Sequence, residues 1–167
     1  MADTVVDVVT SMGTFSIELD SEKAPKSVAN FLEYVDAKHY DGTLFHRVIN
    51  GFMVQGGGYD EKYERRATKA PVENEADNGL KNEKYTVAMA RTPDPNSASS
   101  QFFINVKDNE FLNYKAPTMQ GWGYAVFGKV VEGKDTVDKI AKVATGDARG
   151  MQNVPTTPVV IEKAECL

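Results

Sequence analysis

Apolar residues recur along this chain at two periods. Thr4 to Thr10 and Gly13 to Leu19 alternate as strands do, the second cleanly, with Phe15, Ile17 and Leu19 on one face and Thr14, Ser16 and Glu18 on the other. The Ser11-Met12-Gly13 link joins them into a β-hairpin with one buried face. Pro25 suits the first turn of a helix. Val28, Phe31, Leu32 and Val35 then recur at i, i+3, i+4 and i+7, an apolar stripe that needs a surface to cover. Asp41-Gly42 turns the chain into an extended segment containing Arg47. Tyr85 to Ala90, Gln101 to Val106 and Tyr124 to Val131 read as further strands. Val137, Ile140, Ala141 and Ala144 make a second helical stripe, and Val159-Val160-Ile161 opens a closing strand.

The pattern yields about eight strands and two helices without a βαβ rhythm. Sequential strands separated by turns favour an antiparallel sheet, and two amphipathic helices suit the ends of a closed barrel. The fold class expected is mainly β. Gly56 to about Lys84 is polar, glycine-bearing and aperiodic; a loop of that length is either functional or a surface excursion. A second long loop, carrying Phe111-Leu112 and Gly121-Trp122-Gly123, follows the Gln101 strand.

Two strands carry the candidate chemistry. Alternate residues of an extended strand share a face, so Phe45, Arg47 and Ile49 are expected together, with Leu44, His46 and Val48 opposite. In the later strand Phe102, Ile104 and Val106 form an all-apolar face, the natural core side. Phe103 is left between Gln101 and Asn105 on the less buried side. A large aromatic among polar neighbours suggests a binding surface, whereas a strand covered on both faces makes Phe103 core. Arg47, Phe52, Met53 and Gln55 place a cation, two bulky apolar side chains and an amide within nine residues. Together these describe an apolar pocket with one arginine at its edge, able to strain a neutral group without acid, base or metal.

Composition narrows the classes. The 167 residues are most simply one domain, 1–167, large enough to bury a real core. The hydrophobic share of 41% and charged share of 26% are those of an ordinary globular protein. A net charge of −5, with arginines scattered at Arg47, Arg65, Arg66, Arg91 and Arg149, argues against nucleic acid as partner. Cys166 is the single cysteine, which allows no intramolecular disulfide and fits a reducing compartment. Met1-Ala2-Asp3-Thr4 lacks a basic start, and the apolar run behind it is broken by Asp7, too short for a signal or membrane segment. A cytoplasmic protein is expected.

Several chemistries fall away. His39 and His46 are the only histidines, and no His/Cys cluster has zinc spacing. His39 reads as a solvated or capping residue at the end of the first helix, and His46 as a structural hydrogen-bonder facing away from Arg47. No serine stands in a nucleophile elbow. Gly56-Gly57-Gly58 has neither a Walker lysine nor a dinucleotide fingerprint around it and reads as flexible backbone or close chain approach.

Phe45-His46-Arg47-Val48-Ile49, Gly51-Phe52-Met53-Val54-Gln55-Gly56-Gly57, Ala88-Met89-Ala90, Ser100-Gln101-Phe102-Phe103-Ile104 and Val126-Phe127-Gly128-Lys129-Val130 occur in order along the chain. Through these motifs it resembles the cyclophilins, peptidyl-prolyl cis/trans isomerases, and most resembles their single-domain cytoplasmic type of bacteria. The resemblance runs from the first hairpin to the last strand. It implies a closed eight-stranded antiparallel β-barrel capped by two α-helices, no cofactor or metal, and a monomer acting on Xaa-Pro segments of unfolded or flexible proteins. Arg47 corresponds to the family's catalytic arginine and Gln55 to the amide beside it. Phe52, Met53, Phe103 and Leu112 match the walls of the proline pocket, and Ala90 and Gln101 match positions bordering the bound peptide. Arg91 stands where the family has an asparagine whose backbone holds substrate. Phe111 replaces a tryptophan and Tyr124 a histidine of many eukaryotic members, so the resemblance implies weak cyclosporin binding. The alternative is a proline-peptide-binding chaperone module without significant turnover; Arg47 beside Gln55 favours the enzyme, since holding proline needs only apolar walls.

Overall fold

A computed structural model describes residues 4–167; the reading of Met1, Ala2 and Asp3 lies outside them. The chain opens on a hairpin, β1 (Val5–Thr10) and β2 (Gly13–Leu19), registered so that Val6 faces Ile17 and Val8 faces Phe15. All four are buried, as the alternation requires. The turn is fastened by the Thr10 hydroxyl, which donates to the Gly13 carbonyl at 2.7 Å and accepts from the Met12 N–H at 3.0 Å.

Helix α1 (Pro25–Asp36) begins at its proline and buries Val28, Phe31, Tyr34 and Val35. Its first N–H groups find no partner in its own cap. Glu75, from the long polar loop, accepts from Ser27 N at 2.6 Å and Lys26 N at 3.3 Å. A carboxylate there satisfies orphan donors and sits at the positive end of the helix dipole. The ring of Phe31 meets those of Tyr40, Phe102 and Phe127 at 5.2, 5.5 and 5.1 Å, the centre of the core. Helix α2 (Lys134–Ala141) buries Val137, Ile140 and Ala141. Ala144, counted in its stripe from sequence, lies beyond the helix end and is exposed. The true stripe closes with Ala141.

The remaining strands are β3 (Thr43–Leu44), β4 (Arg47–Ile49), β5 (Met53–Gly56), β6 (Thr86–Met89), β7 (Phe102–Asn105), β8 (Val126–Glu132), β9 (Thr145–Ala148), β10 (Met151–Pro155) and β11 (Val160–Cys166). Nine form one sheet in the order β3-β11-β1-β2-β8-β6-β7-β5-β4, antiparallel throughout. The edge strands β3 and β4 are separated only by Phe45-His46, so the sheet has curled until its ends nearly meet. The expected mainly-β, two-helix architecture is present, but the ladder is an open curl of nine strands rather than a closed eight-stranded barrel. Between its ends run a Leu44 N–H to Tyr59 carbonyl bond of 2.8 Å and an isolated bridge from Thr43 to Asp60. Gly56 permits this approach, since a Cβ there would lie 2.7 Å from the Leu44 carbonyl oxygen.

The seam also corrects the expected alternation. Phe45 and His46 belong to no strand, so Phe45 does not share a face with Arg47. It turns inward, its ring 6.3 Å from Phe15 and 6.0 Å from Phe102. A second sheet, the hairpin of β9 and β10, was not anticipated from sequence. Its strands are short and largely polar, and its turn uses Arg149 and Gly150, both at positive φ, where Asn-Gly would have been the legible signal.

Truncating Phe102 should cost about 3–5 kcal/mol, since it sits among Phe31, Tyr40 and Phe45. Phe103→Ala should cost less, because its neighbours border an open cleft. Denaturant melts of the two variants compare them, and equal or reversed losses would contradict the assignment of the two faces.

Candidate active site

One row of side chains crosses five strands. Arg47 on β4 pairs with Gln55 on β5, Gln55 with Phe103 on β7, Phe103 with Ala88 on β6, and Ala88 with Val126 on β8. Directly opposed residues in antiparallel strands point to the same face, here the outer one. Met53, Ala88, Phe103, Leu112 and Val126 form a buried apolar cluster on that face, flanked by Ile49, Phe52, Leu80, Ala90 and Tyr124 and distinct from the main core. Phe103 is therefore not on a less buried side: it is only 4% exposed, and the strand is covered on both faces. The inward assignment of Phe102 and Ile104 stands, because both belong to the main core.

Above the row lies a cleft of about 130 Å³ lined by Arg47, Phe52, Met53, Gln55, Ala90, Arg91, Phe103, Leu112 and Tyr124. Nine of the eleven residues singled out from sequence thus converge on one cavity. The other two, Gln101 and Phe111, stand next to it. Gln101 accepts at Oε1 from Gln55 Nε2 at 2.9 Å, and Gln55 Oε1 accepts from Arg47 Nη1 at 3.3 Å. This relay aims the exposed guanidinium across the cleft. Gly58 makes room for it, since a Cβ there would fall 2.5 Å from the Gln101 side chain. Phe111 is 62% exposed and stacks on Phe52 at 5.6 Å, extending the apolar wall outward. Trp122 packs against Tyr114 and does not line the cleft.

Arg91 is a second cation on the rim, and two of its three guanidinium nitrogens are engaged. Nε donates to the Gly123 carbonyl at 2.9 Å and Nη1 to that of Thr92 at 2.8 Å, while the guanidinium lies 4.5 Å from the Tyr124 ring centroid. The lining contains no Asp, Glu, His, Lys, Cys or Ser. Among the described residues, no three of His, Cys, Asp and Glu gather as a metal would require. The arrangement suits noncovalent work on a neutral apolar group.

Three buried asparagines given no role by sequence reasoning support the walls. Asn105 Nδ2 donates to Asn82 Oδ1 and Thr86 Oγ1, each at 3.0 Å, and Asn109 Nδ2 donates to Asn105 Oδ1 at 2.8 Å. The outer ends grip the walls: Asn109 Nδ2 donates to the Phe52 carbonyl at 2.9 Å, and Asn82 Nδ2 to those of Leu112 and Tyr124 at 3.1 and 3.2 Å. The local sequence signal was weak, because asparagine is ordinarily a surface or turn residue. Its recurrence at Asn82, Asn105, Asn109 and Asn113 was the only hint.

Both histidines depart from expectation. His39 is half-buried between the rings of Tyr34 and Tyr40, at 4.7 and 5.5 Å, rather than solvated or capping. His46 is buried against the Tyr59 ring at 4.6 Å, and its Nδ1 has no hydrogen-bond partner among the described residues. Burial, with the neighbouring Arg47 charge second, holds its pKa down at about 4. No helix among the described residues is long and apolar enough to cross a membrane.

A guanidinium poised over a small apolar pocket, on the outer face of a curled antiparallel sheet, defines the class of binding site. Comparison with known proteins gives the family. Residues 5–166 match the model of the cyclophilin type peptidyl-prolyl cis-trans isomerase/CLD family. Peptidyl-prolyl cis-trans isomerase cyp18 of Streptomyces antibioticus is 60% identical over 162 residues, 97% of this chain and 98% of its own. Peptidyl-prolyl cis-trans isomerase B of Escherichia coli (strain K12) is 54% identical over 153 residues, 92% of this chain and 93% of its own. The crystal structure of a Cryptosporidium parvum cyclophilin type isomerase superposes with a TM-score of 0.80 at 26% identity, covering 99% of this chain and 98% of that one. A second structure of that protein, in the presence of the dipeptide Ala-Pro, gives 0.77 over 96% of each. The chain belongs to the cyclophilin-type peptidyl-prolyl cis-trans isomerases.

The buried His46 makes stability depend on pH. Its folded pKa of about 4 lies below the ordinary 6.5, so between those values the unfolded chain binds a proton that the folded chain refuses. Stability should be fully present above about pH 6.5 and fall by a few kcal/mol as pH drops toward 4. His39, lowered mainly by burial, acts in the same direction. In an NMR titration the His46 ring should stay neutral until about pH 4; a midpoint near the ordinary value would contradict its burial.

Proposed function

We propose that this isomerase accelerates rotation about Xaa-Pro bonds by donating a hydrogen bond from Arg47 to the imide nitrogen as it twists. The observation that carries the reading is the Gln101–Gln55–Arg47 relay at the mouth of an apolar cleft with no carboxylate, histidine, lysine, cysteine or serine in its lining. Amide resonance sets a rotation barrier of about 18–20 kcal/mol. In the planar amide the nitrogen lone pair is shared with the carbonyl; a quarter turn returns it to nitrogen, which then becomes an acceptor. A donor at that nitrogen stabilises the twisted state selectively, which is the condition for catalysis. A hydrogen bond from a charged group contributes about 1.5–3 kcal/mol, or one to two decades of rate.

The rest comes from holding the ring. Phe52, Met53, Phe103 and Leu112 grip the pyrrolidine while the acyl side turns, and the apolar setting disfavours the charge-separated planar form. Gln55 orients the guanidinium. Ala90 and Gln101 border the peptide; the Ala90 N–H already donates to the Gln101 carbonyl at 3.0 Å, which fixes that rim. Arg91 and Tyr124 form a braced far wall, and Phe111 extends the wall begun by Phe52. The whole chain, 1–167, works as one domain and as a monomer. It acts on Xaa-Pro segments of unfolded or flexible proteins in the cytoplasm, where the exposed thiol of Cys166 stays reduced.

A protease-coupled or exchange-NMR assay on an Xaa-Pro peptide should show acceleration well above the uncatalysed exchange of roughly 10–100 s at 25 °C. Binding without acceleration would leave a proline-binding chaperone module instead. Cyclosporin should bind weakly, because Phe111 has no donor where the resemblance places an indole N–H. Phe111→Trp should tighten binding by up to about a hundredfold, the worth of one partly buried hydrogen bond, with little change in peptide turnover. Tight binding by the unaltered protein in titration calorimetry would contradict this role for Phe111.

A further inference from the structure

Beside the proline cleft lies a second groove of about 200 Å³, lined by Gln55, Tyr59, Arg65, Ala90, Arg91, Thr92, Ser97, Ser99 and Gln101. It shares Gln55, Ala90 and Arg91 with the cleft, so a chain leaving one enters the other. The direction of that chain follows from the proposed reaction. Arg47 must face the prolyl nitrogen with the ring in the apolar pocket, which leaves the acyl side toward Gln55 and Gln101. Residues preceding proline therefore run into the second groove.

The charge of this groove is one-sided. Its lining holds two arginines and no carboxylate; Glu61, Glu64 and Asp94 stand on the flanking loops but do not line it. Arg91 is held against the far wall, its Nε and Nη1 donating to the carbonyls of Gly123 and Thr92 and its guanidinium lying over the Tyr124 ring. The adjacent pair Arg65-Arg66 is divided in role. Arg66 Nη1 donates to the His39 carbonyl at 2.8 Å and ties the loop to the turn that follows α1. Arg65 is exposed and, among the described residues, has no side-chain hydrogen bond or ion pair. Its backbone is held in place by the bridge to Tyr59, within a turn closed by Asp60, whose Oδ1 accepts from the N–H groups of Lys62 and Glu64 at 2.9 and 3.0 Å. Tyr59 is itself packed on His46. An exposed side chain thus stands on a fixed base, with Ser97 and Ser99 lining the same groove.

We infer that Arg65 makes this isomerase selective for acidic residues two or three positions before the proline. The inference rests on the reading of the cleft as the proline site. Extended peptide advances about 3.3–3.6 Å per residue, so those positions reach the second groove while the residue next to proline is still at Gln55. A carboxylate there gains an otherwise unpaired guanidinium, and a lysine at the same place is repelled.

Exchange NMR on unprotected-sequence Xaa-Pro peptides, with Glu, Gln or Lys at the second or third position before proline, tests this without a coupling protease. The Glu peptide should exceed the Lys peptide in kcat/KM by about three- to fivefold at low salt, the scale of one exposed ion pair, with the gap closing as salt screens it. Arg65→Glu should invert the order. A Gln peptide turned over normally beside a flat or salt-insensitive charge series, or an order unaltered by Arg65→Glu, overturns the selectivity while leaving the proline site intact. Failure to accelerate any of the peptides overturns the cleft reading and this inference with it.

Discussion

The register of the β4–β5–β7 ladder is the constraint on which the site depends. Pairing Arg47 with Gln55 and Gln55 with Phe103 sets a cation, an amide and an aromatic wall in one line on the outer face. The intervening Val48, Val54 and Ile104 are buried in the main core. A slip of one residue would drive Arg47 inward and turn Val48 out, since side chains alternate with a period of two. The apolar face that stabilises the fold therefore also fixes the geometry of the cleft. Neither can shift without the other.

The sheet is used on both sides. Inside, α1 and α2 cover an aromatic core around Phe31; outside, a smaller apolar cluster forms the floor and walls of the cleft. The outer layer is thin; a short 3-10 turn, Glu110–Leu112, supplies Leu112 and an irregular loop supplies Tyr124. The Asn82–Asn105–Asn109 network compensates by holding the Phe52, Leu112 and Tyr124 carbonyls from beneath. Buried amides are costly when unpaired, so this network stands only with its partners in place, which resists movement of the walls. The long polar loop contributes similarly at a distance, with Glu75 capping α1 and Arg66 gripping the His39 carbonyl.

Arg47, Met53, Gln55 and Phe103 were legible because they lie on strands with clean alternation, whereas Ala90, Arg91, Phe111, Leu112 and Tyr124 lie off the strands and were legible only through the resemblance to the family. Phe102 and Phe103 separate to opposite faces by period alone, and the Arg47–Gln55 spacing survives as a cross-strand pair. What alternation cannot reveal is where a strand stops. Phe45 was misassigned because two residues at the seam leave the strand, a consequence of Gly56 letting distant backbone approach. The β9–β10 hairpin was silent because its strands carry little apolar character. The asparagines and Glu75 act through partners far away in sequence, and no local pattern encodes such pairings. His46 looked like a polar group seeking a hydrogen bond, yet ring packing on Tyr59 took precedence.

The proposed role of Arg47 is tested most directly by exchange NMR on a proline peptide at saturating concentration, comparing the protein with Arg47→Ala. If the guanidinium acts on the twisted amide, interconversion of the bound peptide should slow by about ten- to a hundredfold, while its dissociation constant changes far less. Bound peptide interconverting at an unaltered rate, with the loss confined to affinity, would contradict the account and reduce Arg47 to a binding residue.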